Sequence, residues 1–256
     1  MKKTLVAVLM LFLALTVCFA HPVTEVKESK TYVASTSWVA AIAELAGLDN
    51  VVSIAPANLK HPPEYEITAQ DMVKVINADL VMTAGYERMM KTINSAAEVD
   101  PAKVIKVKTT NTLENLRNMV SMLCELAGTQ EIAAERFGAY SYMIEQAREK
   151  IKAEDYDKLT VYANTNQAEF AKDLGLNVVA TFGAGPLTAE QIADVAKNKY
   201  DLVIDNSHNP VASPVSEVSP SSVILVWSNF PDHLGNNALY EVINKNLEML
   251  FEVKSK

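Results

Sequence analysis

The sequence predicts an α/β fold in which two βα lobes with parallel sheets are joined by one long linker helix. Three observations carry that expectation. Short apolar runs alternate with helix-forming stretches along most of the chain, the alternation comes in two series, and the stretch between the series is almost free of glycine and proline. Strand and helix patterns in alternation are βαβ grammar, which places parallel strands beneath helices on both faces.

The first series is "TYVAST" (31–36), "NVVSI" (50–54), "DLVMTA" (79–84) and "KVIKV" (103–107). Each run is short and rich in β-branched residues, and each is followed by a polar turn or a helix pattern. The second series is "LTVYA" (159–163), "NVVAT" (177–181), "DLVID" (201–205) and "VILVW" (223–227). Two series imply two sheets. The halves also echo each other, "LAGLDNVVSI" (45–54) against "DLGLNVVATF" (173–182), although shared βαβ grammar alone produces such an echo. Residues 129–155 are rich in helix formers with apolar positions near helical spacing. At ~1.5 Å per residue one helix there spans roughly 40 Å, the length of a lobe. The expected organisation is a signal peptide at 1–20, an N-terminal lobe at 21–128, a linker helix at 129–155 and a C-terminal lobe at 156–256.

The signal expectation rests on Lys2 and Lys3 ahead of an apolar run at 5–17, closed by small residues around Cys18 and Ala20. That run is at the lower edge of a membrane span, so an uncleaved N-terminal anchor is the alternative. Cys18 also admits lipidation, against which stands the bulk of Val17. Either way the expected location is secreted, periplasmic or cell-surface. Cleavage would leave Cys124 as the one cysteine, so no intramolecular disulfide forms, and the apolar run around it reads as a buried helix. Cleavage also takes the net charge from −8 to −10. An acidic surface argues against nucleic acid as a partner.

Open parallel sheets bind ligands beyond the carboxyl ends of their strands, where loops diverge and helix N-termini point inward. That rule selects Thr36, Ser37, the His61 loop, Tyr86 and Glu87 from the first lobe. From the second it selects Asn164, Asn166, 183–185, Asp205, His208, Asp232 and His233. Three of the four histidines fall on these loops, and the fourth is His21. Imidazole and carboxylate are the donors that zinc or manganese takes from such a cleft. No H-x-x-x-H, H-E-x-x-H or C-x-x-C pair occurs. For His61 a solvated loop histidine and a metal ligand stand as equal readings. His208 reads rather as a loop imidazole bonded to backbone, and at most one of Asp232 and His233 reaches a common ion.

With these parts in place, the mature chain resembles the solute-binding proteins of zinc and manganese ABC importers. The likeness lies in "PPEYEITAQDMVKVINADLVMTAGYE", "AEFAKDLGLNVV" and the closing "ALYEVINKNLEML". It implies a class III-type periplasmic binding protein, a monomer that delivers a metal ion to a membrane permease. Carried over residue by residue, the ligand pattern departs from the family's. Pro63 stands where the first histidine belongs, with His61 two residues upstream, and Asn164 stands where the second belongs. The segment 182–185 offers no third ligand, and only Asp232 matches in place. The expected metal set is therefore His61, Asp232, His208, His233 and Asn164, with zinc or manganese as cargo.

The alternative keeps the scaffold and changes the cargo. A cleft lined by Trp38, Tyr86, Trp227, Phe230 and asparagines suits an organic or chelated solute, although ordinary packing is the simpler reading of both tryptophans. An adhesion or signalling protein on the same fold is the third reading. Enzymatic readings lack support: there is no G-x-S-x-G elbow or G-x-x-x-x-G-K loop, and "GAGPLT" lacks dinucleotide-loop spacing.

Overall fold

The computed structural model describes residues 30–235 and 237–253. The expected signal peptide, with Cys18, and His21 lie outside the described residues. Two four-stranded, all-parallel sheets organise the rest. The first has the order β2-β1-β3-β4, from β1 (Tyr32–Ala34), β2 (Val52–Ser53), β3 (Leu80–Thr83) and β4 (Val104–Lys106). The second, β6-β5-β7-β8, is built from β5 (Thr160–Asn164), β6 (Asn177–Phe182), β7 (Leu202–Asn206) and β8 (Val223–Trp227). Every expected strand is present: those of the first sheet are trimmed by a residue or two at each end, whereas β5, β6 and β7 run one residue past the expected carboxyl end and β8 keeps its expected bounds. The two orders correspond strand for strand, so the verbal echo between the halves has a structural counterpart.

Helices follow the strands as the sequence grammar requires. In the first lobe they are α1 (Ser37–Leu45), α2 (Ala69–Asn77), α3 (Met90–Ser95) and α4 (Leu113–Ala127). In the second they are α6 (Thr165–Asp173), α7 (Ala189–Asn198), α8 (Val215–Val218) and α9 (Ala238–Phe251). Their starts are fixed by short polar caps. Thr36, Thr112 and Asn164 each accept a backbone N–H of the following turn. Thr68 with Asp71, and Thr188 with Gln191, form reciprocal capping boxes.

The linker is α5, Gln130–Ala153, one uninterrupted helix of 24 residues and so about 36 Å long. Ala133, Tyr140, Ile144, Ala147 and Ile151 recur at helical spacing and are buried, which fixes one face against the lobes. Its start is set by Gly128, whose left-handed conformation (φ 75°) ends α4. Gly47, in the turn after α1, also needs its missing side chain. Its φ is 83°, and an added Cβ would stand 2.9 Å from the Cβ of Thr129 at the linker's start.

One apolar core runs through both lobes. Trp38, Ile42 and Leu45 of α1 share it with Tyr140 and Ile144 of the linker, Trp227 of β8, and Leu239 and Leu247 of α9. Helix α9 packs against α1, so the second lobe's last helix is seated on the first lobe's first one. Smaller cores lie under α2 and α3 and under α7 and α8. Cys124 is a free, buried thiol of α4, as its apolar run implied. Among the described residues no helix is long and apolar enough to cross a membrane.

Candidate functional site

The carboxyl ends of both sheets face a common cleft of about 680 Å³. In the first lobe, Thr36 closes β1 and starts α1, which brings the Trp38 ring to the cleft. The turn after β3 is held by Glu87, whose buried carboxylate accepts the backbone N–H groups of Ala84 (2.8 Å) and Gly85 (2.7 Å) and the Ser35 hydroxyl. Glu87 is thereby consumed in shaping the loop, and its neighbour Tyr86 lines the cleft, bonded to the Thr109 hydroxyl at 3.1 Å.

The second lobe repeats the device. Asp205, at the end of β7, accepts N–H groups from Asn206 (2.8 Å), Val211 (2.6 Å) and Ala212 (2.7 Å). A buried carboxylate is tolerated when donors converge on it in this way. The loop it shapes carries His208 and Asn209 into the cleft.

His208 meets the other lobe. Its Nδ1 lies 3.0 Å from the carbonyl oxygen of Lys60, an acceptor only, so Nδ1 carries the proton. That leaves Nε2 to accept the Phe230 N–H, 3.4 Å away, with the Ser228 hydroxyl at the same distance. The Phe230 ring stands edge-on to the imidazole at 4.5 Å. Burial, with the nearby His61 adding to it, holds the His208 pKa below the ordinary histidine value and the ring neutral.

The expected metal ligands do not assemble. His61 lines the cleft, where it precedes a short 3₁₀ turn at Pro62–Glu64. His208 lines it too, but both ring nitrogens have partners in the protein. Asp232 and His233 lie off the cleft, over a separate depression beside Pro231 and Glu241. Their rings and oxygens are paired with each other at 2.8 Å, and His233 reaches Glu241 at 3.3 Å. The Asp232 side chain is 80% exposed, and its bond to His233 lowers its pKa. Asn164 is fully buried and does not line the cleft. Its Oδ1 caps α6 through Asn166 N–H at 3.0 Å, and its Nδ2 donates to Asp205 at 3.3 Å. Among the described residues no group of three or more His, Cys, Asp or Glu side chains is placed to hold a metal ion.

The aromatic expectation divides as well. Trp38, Tyr86 and Phe230 line the cleft, whereas Trp227 is wholly buried in the core behind it, 5.8 Å from the Phe170 ring. Sequence reasoning missed Thr109, Thr110 and Asn111, which the strand-end rule would have found by extending to the loop after β4. It also missed Glu169 and Phe170, which reach the cleft from the body of α6 and carry no strand-end signal. Among the described residues five asparagines line the cleft (Asn111, Asn166, Asn206, Asn209 and Asn229), and no lysine or arginine does.

No family model matches the chain, and no curated protein matches it. Solved structures do. The laminin-binding protein of Streptococcus agalactiae, described as bifunctional with adhesin and metal-transporting activity, is 17% identical with a TM-score of 0.63. The match covers 87% of this chain and 98% of that one. The Mn-bound periplasmic metal-binding protein of Candidatus Liberibacter asiaticus is 18% identical with a TM-score of 0.59, over 87% of this chain and 100% of that one. The laminin-binding protein of Streptococcus pyogenes is 16% identical with a TM-score of 0.59, over 88% of this chain and 98% of that one. With its two parallel sheets and linker helix, the chain has the fold of these periplasmic metal-binding and laminin-binding proteins.

Proposed function

We propose that the chain is an extracytoplasmic solute-binding protein of an ABC importer and holds its cargo in the interlobe cleft. The cargo in this reading is a molecule, organic or a chelated metal, and not a bare ion. The observation that carries it is the cleft itself: about 680 Å³ walled by Trp38, Tyr86, Phe230 and five asparagines. A bare ion needs three or four converging donors and little room, whereas aromatic walls with a few polar groups suit a small molecule. The binding chemistry lies in the cleft loops, and no catalysis forms part of the reading.

A second reading keeps zinc or manganese as the cargo. It draws on His61 and His208 facing one cleft from opposite lobes, and on the metal bound by proteins of this fold. It requires His208 to exchange its bond to Lys60 for the ion, and a further donor such as Glu64 to move in.

Calorimetric titration with zinc and manganese salts separates the two. The first reading expects no binding at micromolar concentrations. Micromolar binding that falls tenfold or more in His61→Ala, with the fold intact by circular dichroism, would replace it with the second. The importer role is tested by ATP hydrolysis in the reconstituted permease, which the cargo-loaded chain should stimulate above the cargo-free chain.

A further inference from the structure

On the buried carboxylates of Glu87 and Asp205, three or more donors converge. Glu44, buried in the last turn of α1, is supplied differently. Among the described residues its two carboxylate oxygens share one donor, the N–H of Gly235, at 3.1 and 3.3 Å. The Arg136 guanidinium beside it is spent elsewhere, on the Glu44 backbone carbonyl (2.8 Å) and the Asp49 carboxylate (2.7 Å). A buried carboxylate with so few donors is costly to ionise.

That one donor comes from the other lobe. Gly235 has a φ of 144°, which side chains rarely adopt, and its carbonyl accepts the Ala238 N–H at 2.9 Å where α9 begins. Glu44 thus ties the start of α9, which packs on α1, to the first lobe. A depression of about 540 Å³ reaches the same place, lined by Glu44 and Arg136 from one side and by Leu234 and Gly235 from the other. Water therefore stands next to the tie.

We propose that Glu44 is a proton-operated tie between the lobes: protonated, it holds the start of α9 on α1, and ionised, it draws in water from the depression and lets that seam open. The tie acts apart from the cleft, with which the depression shares no lining residue, and does not depend on what the cleft holds.

Charged groups face the carboxyl from three directions: Arg136 from the linker, Asp49 from the turn after α1, and His233 from the loop before α9, where Glu241 binds it at 3.3 Å. Burial raises the Glu44 pKa to about 7; the Gly235 N–H, Arg136 and His233 lower it by less, and Asp49 adds a further rise. In an open, hydrated seam the carboxyl returns to the ordinary glutamate range. The closed seam therefore binds the proton more tightly than the open one. Its advantage is whole below the ordinary glutamate value and is lost as pH rises through about 7.

The test is hydrogen exchange of the full chain read by mass spectrometry at about pH 5 and about pH 7.5, the ends of that window, with rates corrected for the intrinsic effect of pH. Protection over residues 44–48 and 234–240 should fall tenfold or more between the two, while β5 and β7 change much less. Glu44→Gln keeps an oxygen for the Gly235 N–H but cannot ionise, so its protection should be the same at both pH values. His233→Gln should retain the fall. Equal protection at both pH values in the unaltered chain overturns the proposal, as does an undiminished fall in Glu44→Gln or its loss in His233→Gln. Should Glu44→Gln not fold, titration of the side-chain carboxyl by carbon NMR in the unaltered chain decides, and an ordinary glutamate value for Glu44 overturns the tie.

Discussion

Asp71 shows how much a single side chain organises on the first lobe's surface. Its carboxylate accepts from Thr68 N–H (3.2 Å), the Thr68 hydroxyl (2.6 Å), the Tyr65 hydroxyl (2.9 Å) and Lys74 (2.9 Å). It thereby ties the loop after the His61 turn to the start of α2. Burial pushes its pKa up, but the hydrogen bonds outweigh burial and bring it down to about 2. The folded value is depressed, so the stabilisation is whole above the ordinary carboxylate value and fades as pH falls toward about 2. Asp71→Asn should cost roughly 2 kcal/mol at neutral pH. In denaturant titrations from pH 6 down to about pH 2, the gap between Asp71→Asn and the unaltered chain should narrow across that window. A gap constant with pH would mean that the carboxylate's charge does not contribute.

Among the elements, the linker helix is the one whose attachments decide how the lobes move. Arg148 of α5 bonds to Asp173 at the end of α6 twice, through the carboxylate at 2.7 Å and the backbone carbonyl at 2.8 Å. The other oxygen of Asp173 accepts the N–H of Leu113, the first residue of α4 in the opposite lobe, at 2.9 Å. One carboxylate thus joins linker, second lobe and first lobe. Asp173→Ala should destabilise the chain by about 1–3 kcal/mol in chemical denaturation, through loss of both the ion pair and the helix-start bond. Asp173→Asn, which retains an acceptor oxygen, should recover part of that loss.

The elements were also the most legible part of the sequence. Strands and linker could be read because β-branched runs and helical spacing are local signals. The approach of Gly47 to Thr129, 82 residues along, carried no local signal, because it exists only after folding. The site was legible as loops and much less so as ligands. His61 and Tyr86 were found by the strand-end rule. Asp232 was offered for the right kind of chemistry, yet it sits off the cleft because the loop beyond Phe230 carries it away and His233 binds it. Asn164 and Asp205 stand at strand ends as the rule requires, but their polar atoms are turned to the backbone of their own loops.

Across the whole molecule, polar contacts besides the linker also tie the lobes together, one at the cleft and one away from it. His208 bonds to Lys60, and Glu44 of α1 accepts the N–H of Gly235 at 3.1 Å. The Glu44 carboxyl is buried, and burial raises its pKa to about 7 against the lowering effect of Gly235. With the core continuous through both lobes, cargo binding should rock them by a small angle and not swing them through a wide hinge. Solution scattering with and without a bound cargo should show nearly the same radius of gyration. A marked fall on binding would contradict a stiff linker.

The loops that face the cleft are shaped by Glu87 and Asp205, two carboxylates that line none of it. These two buried anchors are therefore separate from the residues that touch an occupant. Exchange of an exposed cleft residue leaves the buried anchors untouched, so mutational drift can alter what the protein recognises with little penalty in folding. This division gives a physical route by which chains sharing under a fifth of their residues keep one architecture while their ligand-contacting side chains diverge.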